Sequence, residues 1–304
     1  MADLIAPFSL WLVLALHALP GISSLHWSPE GLWLLADNVD GLYLLDLNTF
    51  ALSPRVALRP NGDFAEIPKA HKSDFEASAW IENQLWIFGS GSHSGSLGET
   101  RNGLVKVDLH HHQTVEISSL SPVYSQITAK GLELNIEGAT AFAGEVLLAN
   151  RGHLGQPVNY LIRIQAEQVL GLQRLDLPAE TFAGISALEY EAGTDRLWFT
   201  ATTELTGSVY EDGQIGDSYL GMVEHYTQLK NESELKPSQW FNLSQLDARF
   251  IGQKIEGLAL APGKLYLGSD NDGAAPSLFV LEHNLAPLLQ PQPQNGKIQH
   301  HLPD

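Results

Sequence analysis

Three glutamates recur at one place in a short unit. They are Glu76 in Asp74-Phe75-Glu76-Ala77-Ser78, Glu137 in Asn135-Ile136-Glu137-Gly138-Ala139, and Glu256 in Lys254-Ile255-Glu256-Gly257-Leu258. Serine holds the same place in Gly21-Ile22-Ser23-Ser24-Leu25 and Gly184-Ile185-Ser186-Ala187-Leu188. Carboxylates brought together repel one another unless a cation, a basic side chain or shared protons intervene. Lys72, Lys130 and Lys254 each precede one of the glutamates. The pattern predicts a ligand or metal site that includes Lys72, Glu76, Glu137, Lys254 and Glu256. The plainer alternative is a set of Lys–Glu pairs that hold loops.

A second set of polar residues closes the strand that follows each unit: Asp37-Asn38, Ser90-Gly91-Ser92, Asn150-Arg151, Thr203-Glu204 and Asp270-Asn271-Asp272. Oxygen ligands of this kind suit Ca2+, which accepts irregular geometry. Glu76, Glu137, Glu256, Asp270 and Asp272 are the expected metal ligands. Asp270-Asn271-Asp272-Gly273 opens like a calcium loop but lacks the spacing and final Glu of an EF-hand, so a plain Asx turn is the rival reading. Arg101 and Arg151 are the anion-binding candidates, because a guanidinium offers paired donors. Together with Glu204 they complete the expected ligand-binding set. The Gly/Ser-rich stretch before Arg101 is neither a P-loop nor a dinucleotide fingerprint, so no nucleotide cofactor is expected. His71 and His153 are acid–base candidates near the same face. His110-His111-His112 sits in a tight turn from which three rings cannot easily meet one metal. No residue is assigned a catalytic role.

The elements that must position these residues are short strands. Each unit leads through a turn into a strand rich in Leu, Trp and Tyr, such as Leu32-Trp33-Leu34-Leu35 or Leu197-Trp198-Phe199, then into a third strand such as Gly41-Leu42-Tyr43-Leu44-Leu45. Weaker fourth strands follow, for example Val169 to Leu177. Polar stretches Asn61–Lys72 and Gln228–Arg249 read as loops. No helix with clear caps is visible. Three or four strands per repeat, without helical periodicity, predict an all-β chain folded as a β-propeller. Five repeat starts, near residues 22, 75, 136, 185 and 255, predict five blades. Six remain open if one start has diverged. The propeller spans residues 1–304, with a loosely packed tail at 288–304. The apolar run Ser9 to His17 reads as a strand that completes the last blade and closes the ring. The alternative, a signal peptide over residues 1–21, lacks the positive charge that such a segment needs.

The 304 residues carry 17 Lys+Arg against 35 Asp+Glu, a net charge of −18. That excludes nucleic acid and anionic membrane surfaces as main partners. Cysteine is absent, which removes disulfides, thiolate nucleophiles and Cys-based zinc sites. A monomer that binds a small molecule or a metal is expected. The expected compartment is cytoplasmic, or periplasmic under the signal-peptide alternative.

Several strings carry a resemblance: KSDFEASAWIENQLWIFGSGS, LNIEGATAFAGEVLLANRGHLG, DGQIGDSYLGMVE, and KIEGLAL followed by GKLYLGSDND. Together, from about Pro20 to Leu281, they resemble a family of uncharacterised bacterial propellers related in general pattern to the phytase-like and SdiA-regulated propellers. The phytase-like label implies Ca2+-assisted phosphomonoester hydrolysis. Arg101, Arg151 and Lys72 would then bind phosphate while the carboxylates hold metal. Three functions therefore stand: a propeller with a small-ligand or metal site at its channel mouth, a Ca2+-assisted hydrolase, and a non-catalytic interaction scaffold.

Overall fold

The computed structural model describes residues 8–60, 62, 64–92, 101–208, 213–271 and 273–283. Asp272 and the tail from Leu288 lie outside them. The described strands form five antiparallel blades. β1 (Phe8–Ala15) comes first in the chain but belongs to the last blade. Blade 1 holds β2 (Ser24–Ser28), β3 (Gly31–Leu35), β4 (Gly41–Leu45) and β5 (Leu52–Ala57). Blade 2 holds β6 (Phe75–Ile81), β7 (Gln84–Gly89), β8 (Gly103–Asp108) and β9 (Gln113–Ser119). Blade 3 holds β10 (Ile136–Phe142), β11 (Glu145–Asn150), β12 (Asn159–Gln165) and β13 (Gln168–Leu175). Blade 4 is built on β14 (Ala183–Glu191), β15 (Arg196–Leu205) and β16 (Gln214–Glu224). The following segment is more than a loop. It adds β17 (Glu234–Leu235) in parallel to β13, and β18 (Gln239–Asn242) as the outer strand of blade 4. Blade 5 holds β19 (Ile255–Ala261), β20 (Lys264–Ser269), β21 (Ser277–His283) and, outermost, β1.

β1 pairs antiparallel with β21 from Phe8↔His283 to Ala15↔Ser277. The first described strand therefore closes the ring, as the apolar run from Ser9 predicts. Closure removes the exposed edge that β21 would otherwise present.

The leucine-rich second strands follow from sandwiching between two neighbours. Successive residues of a strand point to opposite faces. Leu32 and Leu34 pack towards blade 5 with Tyr266, Leu278 and Val280, while Trp33 and Leu35 pack towards blade 2 with Phe75, Leu85 and Ile87. Both faces of the blade are dry, so the strand reads as one apolar run instead of an alternation. Burying each such side chain contributes about 1.5–3 kcal/mol. Five clusters of this kind fill the five seams between blades. Hairpin turns set the register: Glu82-Asn83 and Ala143-Gly144 each join two strands with both φ angles positive, as type I′ turns require.

One helix lacks a clear signal in the sequence. α1 (Ser121–Thr128) has no side-chain cap; Pro122 in its first turn is the sole local cue. It buries Val123, Tyr124 and Ile127 against blades 2 and 3, and the Tyr124 hydroxyl donates to the Gly89 carbonyl at 2.5 Å. Among the described residues, no helix is long and apolar enough to cross a membrane.

Candidate functional site

The recurrent glutamates are bulge residues. In blade 2, Phe75 pairs with Gly89 and Ala77 with Phe88, leaving Glu76 without a partner in the ladder. The same shift skips Glu137 in blade 3, Ser186 in blade 4 and Glu256 in blade 5. A bulge re-aims the side chain it carries. Here it turns three carboxyls into a cavity of about 580 Å3 at one mouth of the channel. A further bulge skips Thr203 in blade 4 and precedes Glu204. All five blades contribute charged side chains to the cavity wall: Asp37, Glu76, Glu137, Glu204 and Glu256 are one from each.

The charges form two clusters. In the first, the Lys72 ammonium contacts the Asp37 carboxylate, lies 2.7 Å from Asp74 and 4.0 Å from Glu76. Asp74 also accepts from Ser90, from Ser92 at 2.9 Å and from Arg101 at 3.0 Å. Arg101 donates in addition to Ser92 at 2.7 Å and to the Lys69 carbonyl at 3.2 Å. In the second cluster, Arg151 reaches Glu204 at 2.6 Å and both Glu137 and Glu256 at 3.5 Å. Lys254 lies 3.0 Å from Glu256 and 3.7 Å from Glu204. Asn135 donates to Glu137 at 2.6 Å.

Two glycines make this crowding feasible. A side chain at position 184 would run into the Arg151 side chain, and one at position 21 into the Asp270 carboxylate. Each glycine thus lets a charged residue from the preceding blade lean across the seam.

Burial sets the protonation of the ring. It raises Glu76 well above its ordinary pKa, reinforced by Asp37, Asp74 and Glu137 and opposed by Lys72. Burial likewise raises Glu256 well above the usual range, against Lys254, and raises Glu137, against Arg151 and Lys254. For Asp74 burial acts upward too, but Lys72 and Arg101 outweigh it and the pKa falls. Burial disfavours the Lys72 and Arg151 cations, yet the carboxylates around them hold both pKa values above their ordinary range. Lys72 is therefore an ammonium at neutral pH and not a nucleophilic amine.

Lys72, Glu76, Arg101, Glu137, Arg151, Glu204, Lys254, Glu256 and Asp270 all line the cavity. Lys130 does not: it is exposed, and Glu137 takes Arg151 as its cation instead. Asp74, 4% exposed, lines the same cavity and is not among the residues the sequence pointed to. Its signal is positional. It stands two residues before Glu76, where Asn135 and Lys254 stand before their own glutamates.

No histidine joins the two charge clusters among the described residues, although His17 and His153 line the cavity. His71 is exposed. His153 lines the cavity, but Gly155 N–H donates to its Nδ1 at 3.1 Å and its Nε2 meets Glu133 at 2.8 Å, so both ring nitrogens are engaged. His111 pairs with Asp108 at 2.7 Å, while His112 reaches Glu30 at 3.1 Å. The triple histidine thus disperses to different partners.

Three carboxylates, Asp37, Asp74 and Glu76, bring oxygens within 4.8 Å of one another, the spacing of a metal cage. The Lys72 ammonium lies among them, so the space a metal would take carries the protein's own cation. This arrangement does not fit Ca2+ without displacement of that lysine.

The fold is similar to that of Myxococcus xanthus glutaminyl cyclase, with a TM-score of 0.53 and 10% sequence identity, covering 90% of this chain and 95% of that one. Kuenenia stuttgartiensis hydrazine synthase matches with a TM-score of 0.39 and 10% identity, over 84% of this chain and 57% of that one, too remote to bear on the site. At 10% identity the cyclase shows a shared fold and no shared chemistry. No curated protein sequence matches, and the phytase-like relation suggested by the sequence strings is not shown. A family model described as a family of unknown function, DUF6929, matches residues 18–282, and the chain belongs to that family.

Proposed function

We propose that the channel mouth binds a small polar organic molecule. The observation that carries this reading is the hollow ring of charge: side chains from all five blades surround about 580 Å3, a volume ordinary for a small-ligand pocket. Burying charge is costly even when it is paired. A purely structural lattice would close on itself, with its charges in mutual contact and no cavity between them.

The rival readings fare less well. Calcium would compete with Lys72, Arg151 and Lys254 for the same carboxylate oxygens. Phosphate would need Lys72, Arg101 and Arg151 to release carboxylates, and would meet the repulsion of those left behind. The activity in the name of the Myxococcus cyclase is that protein's; similarity of fold alone does not bring it here.

The test is thermal melting of the purified protein against a panel of small polar compounds of cationic, anionic, zwitterionic and neutral type, with Ca2+ and EDTA as separate arms. A compound that binds the folded state raises the melting temperature. The proposal expects at least one organic class to do so, and the Ca2+ and EDTA arms to leave melting unchanged. No shift from any organic class, or a shift from Ca2+ alone, would refute it.

A further inference from the structure

We infer that Glu76 is the carboxyl that reads the ligand, and that what it reads is the ammonium or guanidinium end of a small organic amine. This rests on the ligand-binding reading of the mouth and names its substrate class.

Glu76 differs from the other two glutamates in its partners. Glu137 accepts from Asn135 at 2.6 Å and faces Arg151, and Glu256 has Lys254 at 3.0 Å. Glu76 accepts no hydrogen bond among the described residues. Its one cation, the Lys72 ammonium, stands at 4.0 Å and lies closer to Asp37 and Asp74. Yet the Glu76 side chain is only 12% exposed, and the bulge in β6 turns it into the cavity. A carboxyl in that position lacks a donor, and a donor is what an amine brings.

The charge inventory points the same way. Among the described residues, eight carboxylates line the cavity: Glu66 at its rim, with Asp37, Asp74, Glu76, Glu137, Glu204, Glu256 and Asp270. Against them stand five cations, Lys69, Lys72, Arg101, Arg151 and Lys254, and the last four are each engaged with a carboxylate. Acceptors are in surplus. Burial raises the Glu76 pKa, the facing Asp37, Asp74 and Glu137 raise it further, and Lys72 opposes them. Glu76 therefore holds a proton to higher pH than an ordinary carboxyl does. When an ammonium arrives, the Glu76 O–H bond breaks, the proton passes to solvent, and the carboxylate accepts from the ligand's N–H.

Titration calorimetry with 1,4-diaminobutane, in two buffers of different ionisation enthalpy, reads both binding and proton release. Butanoate, 1-butanol and CaCl2 serve as the other probes. The inference expects the diamine to bind with proton release, to bind more tightly as pH rises, and to lose at least tenfold in affinity in Glu76→Gln together with the proton signal. If Glu76→Gln does not fold, the pH dependence and proton release of the unaltered protein decide. Equal diamine binding in Glu76→Gln overturns the inference. So does binding of butanoate or butanol in place of the diamine, an outcome that leaves the ligand site standing. Binding of none of the organic probes, or of CaCl2 alone, overturns the inference and removes its support from the site itself.

Discussion

Blades 2, 3 and 5 place glutamate at the inner bulge or its equivalent; blades 1 and 4 place serine there. The serine hydroxyls stay within the framework. Ser23 Oγ accepts from Asp37 N–H at 3.0 Å, and Ser186 Oγ donates to the Ile255 carbonyl of the next blade at 2.6 Å. The glutamates instead face the cavity. The residue two positions earlier differs in step: Asp74, Asn135 and Lys254 in the glutamate blades, Gly21 and Gly184 in the serine blades. Those glycines admit Asp270 and Arg151 from the blade before. One repeat thus serves two tasks. On the inner strand, glutamate blades supply charge, and serine blades supply the seam across which a neighbour's charge reaches the axis.

The largest expected effect is on Arg151, which joins three carboxylates across the Gly184 seam. Arg151→Met leaves Glu137 and Glu204 without their guanidinium and should cost about 3–5 kcal/mol, the scale for breaking one side of a buried pair. Chemical denaturation measures this. A loss below about 1 kcal/mol would show that the seam carries no structural weight.

Ser186→Ala comes next. It removes the shorter of the two hydroxyl donors to the Ile255 carbonyl, leaving the longer contact from Thr202, at 3.3 Å. A loss of about 1–3 kcal/mol is expected, with ligand affinity unchanged. If binding falls while stability holds, the division between serine and glutamate blades fails.

The sequence exposed this division only in part. Glu76, Glu137 and Glu256 were recognisable because a bulge repeats its local pattern, apolar residue before and small residue after, in every blade that uses it. The ring closure was recognisable because a strand with one partner still needs an apolar run. β17, β18 and the helix α1 were hidden for the opposite reason. β17 is two residues long, β18 is half-buried throughout, and α1 lacks a capping side chain. Arg151 as the cation of Glu137 was also hidden, since Lys130 is nearer in sequence and only the pairing of β10 with β11 brings position 151 beside position 137.

A smaller effect separates the mouth from the rest of blade 4. Glu189, on the inner strand β14 but away from the cavity wall, is pushed up by burial to about 8. Its folded pKa exceeds its ordinary 4.5, so the folded state holds the proton more tightly. Stability is therefore greatest below the ordinary value and declines as pH rises towards 8. Glu189→Gln should melt higher than the unaltered protein at pH 9, and the advantage should shrink towards pH 4–5, with diamine binding untouched. Parallel pH–melting curves for the two proteins would contradict this assignment.

Under the proposed reading, the glutamate blades serve a ligand. Glu137→Gln tests it most directly, because glutamine keeps the shape and an acceptor for Asn135 and Arg151 but loses the charge. Melting temperature and affinity for 1,4-diaminobutane should be measured on the same preparation. A small change in melting is expected, with a loss of affinity smaller than that in Glu76→Gln. A steep fall in melting with affinity unchanged would show that the ring of glutamates is a structural lattice.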